Sequence, residues 1–329
     1  MDYIGDYLKH EDHKNYTYSA TWSEDFPGTN LKSIHIKDYT ITHPTKDEIF
    51  ISGKTFLAPA ACNYYHSMVD VIGTYEFLKS KYSDIVMRFG IKDEFPGAEP
   101  GMFSKHMQDI NNNYTKEIHR LYNPENITFN FQDCHVRFEE IILMPTRSMW
   151  HQDRMTPLKL QDNLFILSHE DLLPIRIEYI KKIKEKFRIL EKSKESNKLY
   201  CLRGISSSKS MDRSYDETEL MDFFKSKGYD VVNLETMSLL DQFKTMSSAN
   251  FAAGLDGSNI FNCIFMRPGS KVYVISTQRW WSYEFVRYFK EIGLEVVNIG
   301  QDLIKNLPIE NGAHLLSSEI IKELQTYNI

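Results

Sequence analysis

The chain lacks several features that would assign it to common protein classes. It has no run of about 18 apolar residues, so no helical membrane span is expected. It has no excess of basic residues: 39 Lys and Arg stand against 45 Asp and Glu, a net charge of −6. A general nucleic-acid binder would carry a basic face, so that class is set aside. Its four cysteines, Cys62, Cys134, Cys201 and Cys263, are far apart and lack the close spacing of a zinc site. They read as free buried thiols in a reducing compartment. No Asp-x-Asp occurs anywhere, and no Gly-x-Gly-x-x-Gly follows any strand. The second absence weighs against a dinucleotide-binding oxidoreductase. The N-terminal string Met1–Tyr16 is polar and acidic and does not read as a signal peptide, so a cytoplasmic location is expected. The sequons at Asn15, Asn113 and Asn126 then read as chance matches.

The composition is that of a globular protein. The chain has 329 residues, of which 42% are hydrophobic and 26% charged. That length suggests two domains of roughly 150 residues each. Residues 1 to 55 hold β-prone segments such as Ser33–Ile36 and Glu48–Ile51. From Tyr65, apolar residues recur at helical spacing: Met68, Ile72, Tyr75 and Leu78. Ile85–Phe89, Ile127–Phe131 and Ile141–Met144 read as strands, and Lys105–Tyr122 as a helix. Pro174 is expected to open a long amphipathic helix, Ile175–Lys192, whose lysines form a solvated face.

A second alternation follows. Its expected strands are Leu199–Arg203, Asp230–Asn233, Phe251–Ala253, Lys271–Ile275 and Glu295–Ile299. Its expected helices are Asp216–Lys227, Leu239–Met246, Asn259–Met266, Tyr283–Ile292 and Ser317–Tyr327. Alternation of this kind implies an α/β fold. The expected boundaries are 1–172 and 173–329, with a cleft between the two domains.

The stretch Met246–Ile275 carries the strongest functional signal. A buried strand runs into a loop with Gly254 and Gly257, and a helix start at Ser258–Asn259 follows. Glycine lets the backbone turn sharply and approach a ligand. Free N–H groups at a helix start favour an anion such as a nucleotide phosphate.

Other residues of the second half fall into order around this loop. Arg203 ends a strand. Arg213 precedes Tyr215-Asp216-Glu217-Thr218-Glu219-Leu220. Gly228-Tyr229-Asp230-Val231-Val232, Glu235 and Gln242 come next. Gly254-Leu255-Asp256-Gly257-Ser258-Asn259, Asn262 and Phe265-Met266-Arg267-Pro268-Gly269-Ser270 complete the run. The first half carries Asn63-Tyr64-Tyr65-His66-Ser67-Met68-Val69-Asp70. Together these elements, over Asn63 to Ile275, resemble glycosyltransferase family 61, with its Asn-x-x-His-x-x-x-Asp and Gly-x-His-Gly-Ala-x-x-x-Asn patterns. The resemblance implies a GT-B architecture of two Rossmann-like domains. The C-terminal domain would hold a nucleotide-sugar donor and the N-terminal domain a glycan acceptor. One position departs from the pattern: Asp256 stands where the family has histidine. An aspartate repels phosphate unless it is protonated or turned away, so it would bind a hydroxyl, act as a base or cap the next helix.

Roles follow from residue type. The leaving nucleoside diphosphate gains negative charge, which a metal or cationic side chains must stabilise. Without Asp-x-Asp, the expectation is no metal and no cofactor. Arg203, Arg213, Gly254, Gly257, Ser258, Asn259, Asn262, Gln242 and Glu235 are the candidate donor and phosphate residues. His66 and Asp70, four apart on one helix face, are the candidate base, with Asp256 as a third catalytic candidate. The same pair read structurally would only pin the helix. His151 and Asp153 are reserve candidates for the base, and Trp280-Trp281 is a pair that could stack on a sugar or pack. His10 and His13 form a weak metal-like string, and Asn63 reads as a helix cap. The expected reaction is inverting single displacement from a uridine diphosphate sugar, with guanosine diphosphate next. A non-catalytic glycan or nucleotide-sugar binder of the same fold is the alternative. Donor sugar, acceptor, linkage and oligomeric state are not read from the sequence.

Overall fold

The computed structural model describes residues 19–25, 32–41, 48–58, 64–91, 117, 128–130, 135–144, 169–187, 197–203, 215–277, 282–304, 315–327 and 329. The chain divides into two compact units, and among the described residues the break falls between Ile183 and Lys184. Each unit is built on its own sheet. The expected helix over Lys105–Tyr122 lies outside the described residues apart from Glu117.

The first unit has six strands: β1 (Ser19–Asp25), β2 (Lys32–Ile41), β3 (Glu48–Ala58), β4 (Val86–Ile91), β5 (Thr128–Asn130) and β6 (His135–Leu143). Their order is β1-β2-β6-β3-β4-β5. The sheet is mixed. β2 runs antiparallel to β1 and β6, while β6, β3, β4 and β5 are parallel neighbours. Ile141 and Ile142 on β6 point to opposite faces, and both are fully buried, so both faces of the sheet are covered there. β3 carries one extra residue against β6 between Ile51 and Lys54. Gly53 supplies the left-handed backbone of that bulge, with φ +77°.

The expected helix from Tyr65 is present, but not as a plain α-helix. Helix α1 is α-helical over Tyr64–His66, π-helical over Ser67–Gly73 and α-helical again over Thr74–Lys81. Met68, Val69, Ile72 and Leu78 are fully buried along it. Gly73 lets α1 approach the next helix, because a Cβ there would lie 2.7 Å from Tyr179 Cβ.

That next helix, α2 (His169–Lys186), starts before Pro174, which was expected to open it. A proline in the second turn forfeits one hydrogen bond and crowds the preceding turn, and tertiary packing of Ile175, Tyr179, Ile180 and Ile183 offsets this. The missed signal was Ser168 with Asp171 three residues on, a helix-start pattern. The lysine face of α2 is solvated except at one place. Lys184 turns inward and donates to the carbonyls of Ile264 and, at 2.9 Å, Met266. Burial depresses its pKa to about 8.

The second unit is a parallel sheet of β7 (Asn197–Cys201), β8 (Asp230–Val232), β9 (Ala249–Leu255), β10 (Lys271–Ile275) and β11 (Glu295–Ile299). The order is β11-β10-β9-β7-β8. Counted along this unit, the order from the other edge is second, first, third, fourth, fifth, which is a doubly wound pattern. The helices are α3 (Thr218–Ser226), α4 (Leu239–Ser248), α5 (Ser258–Phe261), α6 (Ser282–Glu291), α7 (Gln301–Ile304) and α8 (Ser317–Leu324).

Helices cover both faces of this sheet. Tyr200, Ala253 and Tyr273 lie side by side on β7, β9 and β10, and pack against Leu220 and Phe224 of α3 and Ile320 and Leu324 of α8. Cys201, the next residue along β7, faces the other way and meets Met246 of α4. Gly254 sits opposite Cys201 in the β7–β9 register. A Cβ there would be 2.8 Å from the Cys201 carbonyl, so this glycine is demanded by strand packing. The cysteines at 201 and 263 are free and buried. Among the described residues no helix is long and apolar enough to cross a membrane.

Candidate functional site

In a doubly wound sheet, consecutive strands change direction of winding at one point. The loops leaving the carboxyl ends of the two strands there diverge and open a crevice. In this chain the two strands are β7 and β9. The chain leaves β7 towards β8 on one side, and leaves β9 towards β10 on the other. Arg203 follows β7 by two residues, and Asp256-Gly257 follows β9.

Arg203 is held by its backbone. Its N–H donates to Glu217 Oε1 at 3.0 Å. Among the described residues its guanidinium makes one hydrogen bond, Nη1 to the Asp256 carbonyl at 3.3 Å, out of five possible donors. Burial pulls its pKa down, and Asp256, Glu217 and Glu235 in turn support the charged form. An arginine so placed is a cation in a shielded setting, with donors unused among the described residues. Gly257 runs beneath it: a Cβ at this position would be 3.6 Å from Arg203 Cζ. Its φ of +153° with ψ −173° is a conformation that glycine alone adopts readily.

Asp256 lies beside the same arginine. Its N–H donates to the Ile275 carbonyl at 2.9 Å, and both its carboxylate oxygens are shielded from solvent. The residue at the N-cap of α5 is Gly257, with no side-chain cap bond, so Asp256 does not cap this helix. Helix α5 is a single turn, continued by a 3₁₀ turn at Asn262–Phe265. So short a helix has little dipole, and the electrostatic weight of the site rests on Arg203.

The other candidates sort by their bonds. Asn259 Nδ2 donates to the Leu202 carbonyl at 2.8 Å and to Glu235 Oε1 at 3.4 Å, tying the ends of β7 and β8 to α5. Gln242 and Asn262 are buried deeper. Asn262 Nδ2 donates to Gln242 Oε1 at 3.2 Å, and Gln242 Nε2 donates to the Met237 carbonyl at 3.2 Å. They clasp α4 to the 3₁₀ turn. Arg203, Asp256, Gly257, Glu235 and Asn259 therefore come together, and Gln242 with Asn262 supports them from below. Gly254 serves the strand pair, and Ser258 opens α5.

Arg213, His151, Asp153, Trp280, Trp281, Asn63, His10 and His13 lie outside the described residues. His66 closes the first α-helical stretch of α1, and Asp70 lies in its π-helical stretch. The expected one-face relation assumed α-helical spacing, whereas the backbone between the two residues is π-helical, and their side chains lie outside what the structure describes. π-helical turns recur at functional sites. Among the described residues no three His, Cys, Asp or Glu side chains are grouped to hold a metal ion.

Glu217 is the residue the sequence reading quoted but gave no role. It is 6% exposed, and accepts from Tyr200 Oη at 2.7 Å and from the Arg203 N–H. Burial raises its pKa to about 7, against those two hydrogen bonds and the Arg203 charge, which lower it. The signal for it was the spacing of strand end, loop and helix start, which returns Glu217 to the strand it left. Its neighbour Cys201 is no nucleophile candidate, since burial pushes the thiol up to about 12.

A stability prediction follows from Glu217. A carboxyl whose folded pKa lies above its unfolded value of about 4.5 contributes stability below pH 4.5. That contribution is lost as pH rises through about 7 and is flat beyond. The full difference is on the order of 3 kcal/mol. Glu217→Gln mimics the protonated form and is expected to flatten the fall in stability between pH 4.5 and 7. Urea titrations at several pH values check this, and parallel curves for both proteins would show that Glu217 does not govern it.

A doubly wound parallel sheet with an arginine at its switch point defines an α/β unit with a cationic side chain at its carboxyl edge. The model of the family described as Glycosyltransferase 61 matches residues 64–273, and the chain belongs to that family. It is a glycosyltransferase. A search of curated proteins finds no match to it.

Proposed function

We propose that the chain transfers a sugar from a nucleoside diphosphate donor, uridine first and guanosine next, to a glycan hydroxyl by inverting single displacement. The observation that carries this reading is Arg203: a shielded guanidinium at the switch point with four of its five donors unused among the described residues. Charge that develops on a leaving diphosphate is stabilised best by preorganised donors in a site that excludes water. The GT-B arrangement, with the acceptor held by the first unit, belongs to the same proposal.

Direct displacement needs a base on the side of the anomeric carbon away from the phosphates. His66 and Asp70 are proposed for that task, in the first unit. A π-helical stretch at Asp70 supports the choice, because such turns are less stable than an α-helix and persist where function requires them.

The reaction is proposed to need no metal, since Arg203 takes the charge that an Asp-x-Asp-bound cation would take. Transfer is expected to survive excess chelator with little change in rate. Product formation from a set of nucleotide sugars, with and without EDTA, is the test. Activity abolished by EDTA and restored by manganese or magnesium would overturn this part, and Asp256 would become the first ligand to mutate.

A further inference from the structure

We infer that Glu217 is a positioning residue that takes up a proton when a nucleoside diphosphate binds at Arg203, so that donor binding and protonation are coupled. This rests on the donor reading above and deepens it.

Charge around Arg203 is already one-sided. Three carboxylates, Asp256, Glu217 and Glu235, support a single guanidinium. A bound diphosphate adds negative charge beside the same cation. In a shielded setting such an excess is relieved by protonating the acid that is hardest to keep ionised. Glu217 fits that description by its placement. It is the N-cap residue of α3, yet its side chain makes no cap bond. The carboxylate turns back to β7, where Oε2 accepts from Tyr200 Oη at 2.7 Å and Oε1 accepts from the Arg203 N–H at 3.0 Å. Both donors are neutral. The positive charge that supports it is the Arg203 guanidinium, on which Asp256 and Glu235 also draw.

The other titratable groups near Glu217 do not offset the added charge. Glu235, after β8, repels it. Tyr200 and Cys201 on β7, and Tyr215 ahead of α3, are held in their neutral forms by burial. The Glu217 carboxyl already titrates near neutrality, and negative charge arriving on Arg203 pushes it further towards the protonated form. The proton comes from solvent. Placed on Oε2 it faces Tyr200 Oη, a hydroxyl that accepts as well as donates. Oε1 keeps the Arg203 N–H. The backbone of Arg203 is therefore gripped in both states, while its guanidinium loses one competing anion and is left to the diphosphate. Because binding takes up a proton, affinity is expected to fall as pH rises above about 7.

Calorimetric titration of the full chain with UDP and GDP, in buffers of unlike ionisation enthalpy, counts the protons exchanged. The wild type is expected to take up roughly 0.3–0.7 proton per nucleotide near pH 7.5. The terminal phosphate of the nucleotide itself titrates near about pH 6, and binding to a cation releases protons from it, which is the opposite sign. Glu217→Gln cannot take the proton, so its uptake is expected to fall below about 0.1 proton. Tyr200→Phe keeps the carboxylate and removes a hydrogen bond that favours its ionised form, so the pH of greatest uptake is expected to move upwards. No uptake in the wild type, or equal uptake in Glu217→Gln, would overturn the coupling and leave the phosphate role of Arg203 standing. An unmoved profile in Tyr200→Phe would overturn it as well, whether or not Glu217→Gln folds. Failure of the wild type to bind either nucleotide would overturn the donor reading and the coupling together.

Discussion

Asp70→Asn is expected to lower turnover by roughly 10²–10⁴-fold while donor binding stays near normal. The substitution keeps size and hydrogen bonding and removes basicity. A base that takes the acceptor proton acts only in the transition state, so its loss lowers kcat and leaves the donor Kd untouched. His66→Ala separates two versions of the proposal. If histidine only orients the carboxylate, the effect is milder than that of Asp70→Asn. If histidine is the base, the two losses are equal. Folded and fully active forms of both variants would make the pair structural, a pin for the π-helical stretch of α1. The base would then be sought at Asp256, His151 or Asp153. Steady-state kinetics with the cognate donor, together with a melting curve for each variant, provide the comparison.

Arg203→Ala is expected to weaken nucleoside diphosphate binding and to slow transfer, by about 2–4 kcal/mol of transition-state stabilisation. The guanidinium stands among Asp256, Glu217 and Glu235. Its removal would leave these carboxylates without their common cation, and a bound diphosphate would then meet net negative charge. Arg203→Lys keeps the charge but not the planar fork of donors, so it is expected to recover only part of the loss. Because the backbone N–H of residue 203 still reaches Glu217 in either variant, the fold of the strand end should hold. Wild-type affinity and turnover in Arg203→Ala would remove this residue from the site.

Much of the second unit is legible in the sequence because its signals are local. Lys271–Ile275 and Glu295–Ile299 are apolar runs bounded by turns, and both strands appear where the pattern puts them. The anchor residues of the site also follow from order along the chain, since a strand end and a glycine loop mark carboxyl edges of a parallel sheet. What the residue pattern does not carry is pairing. The antiparallel joining of β2 to β6 links residues about a hundred positions apart, and nothing in either strand names its partner. The same holds for the side-chain bonds. Gln242 and Asn262 read as ligand residues from their place in the motif, yet their amides are engaged in tying α4 to a 3₁₀ turn. Glu217 reads as an ordinary first-turn acid, and only the fold returns it to the Arg203 N–H. The π-helical stretch of α1 leaves the apolar spacing nearly unchanged, so periodicity alone cannot reveal it.

The central claim is that this glycosyltransferase holds a nucleoside diphosphate at the switch point of its second unit. A thermal-shift panel of nucleoside diphosphates and nucleotide sugars tests it most directly, run on the wild type beside Arg203→Ala. A ligand at 100 times its Kd stabilises the folded state by about 2.7 kcal/mol, so a cognate nucleotide gives a clear rise in melting temperature. The account predicts such a rise for one nucleotide family in the wild type and its loss in Arg203→Ala. No rise with any nucleotide, or an equal rise in both proteins, would contradict it.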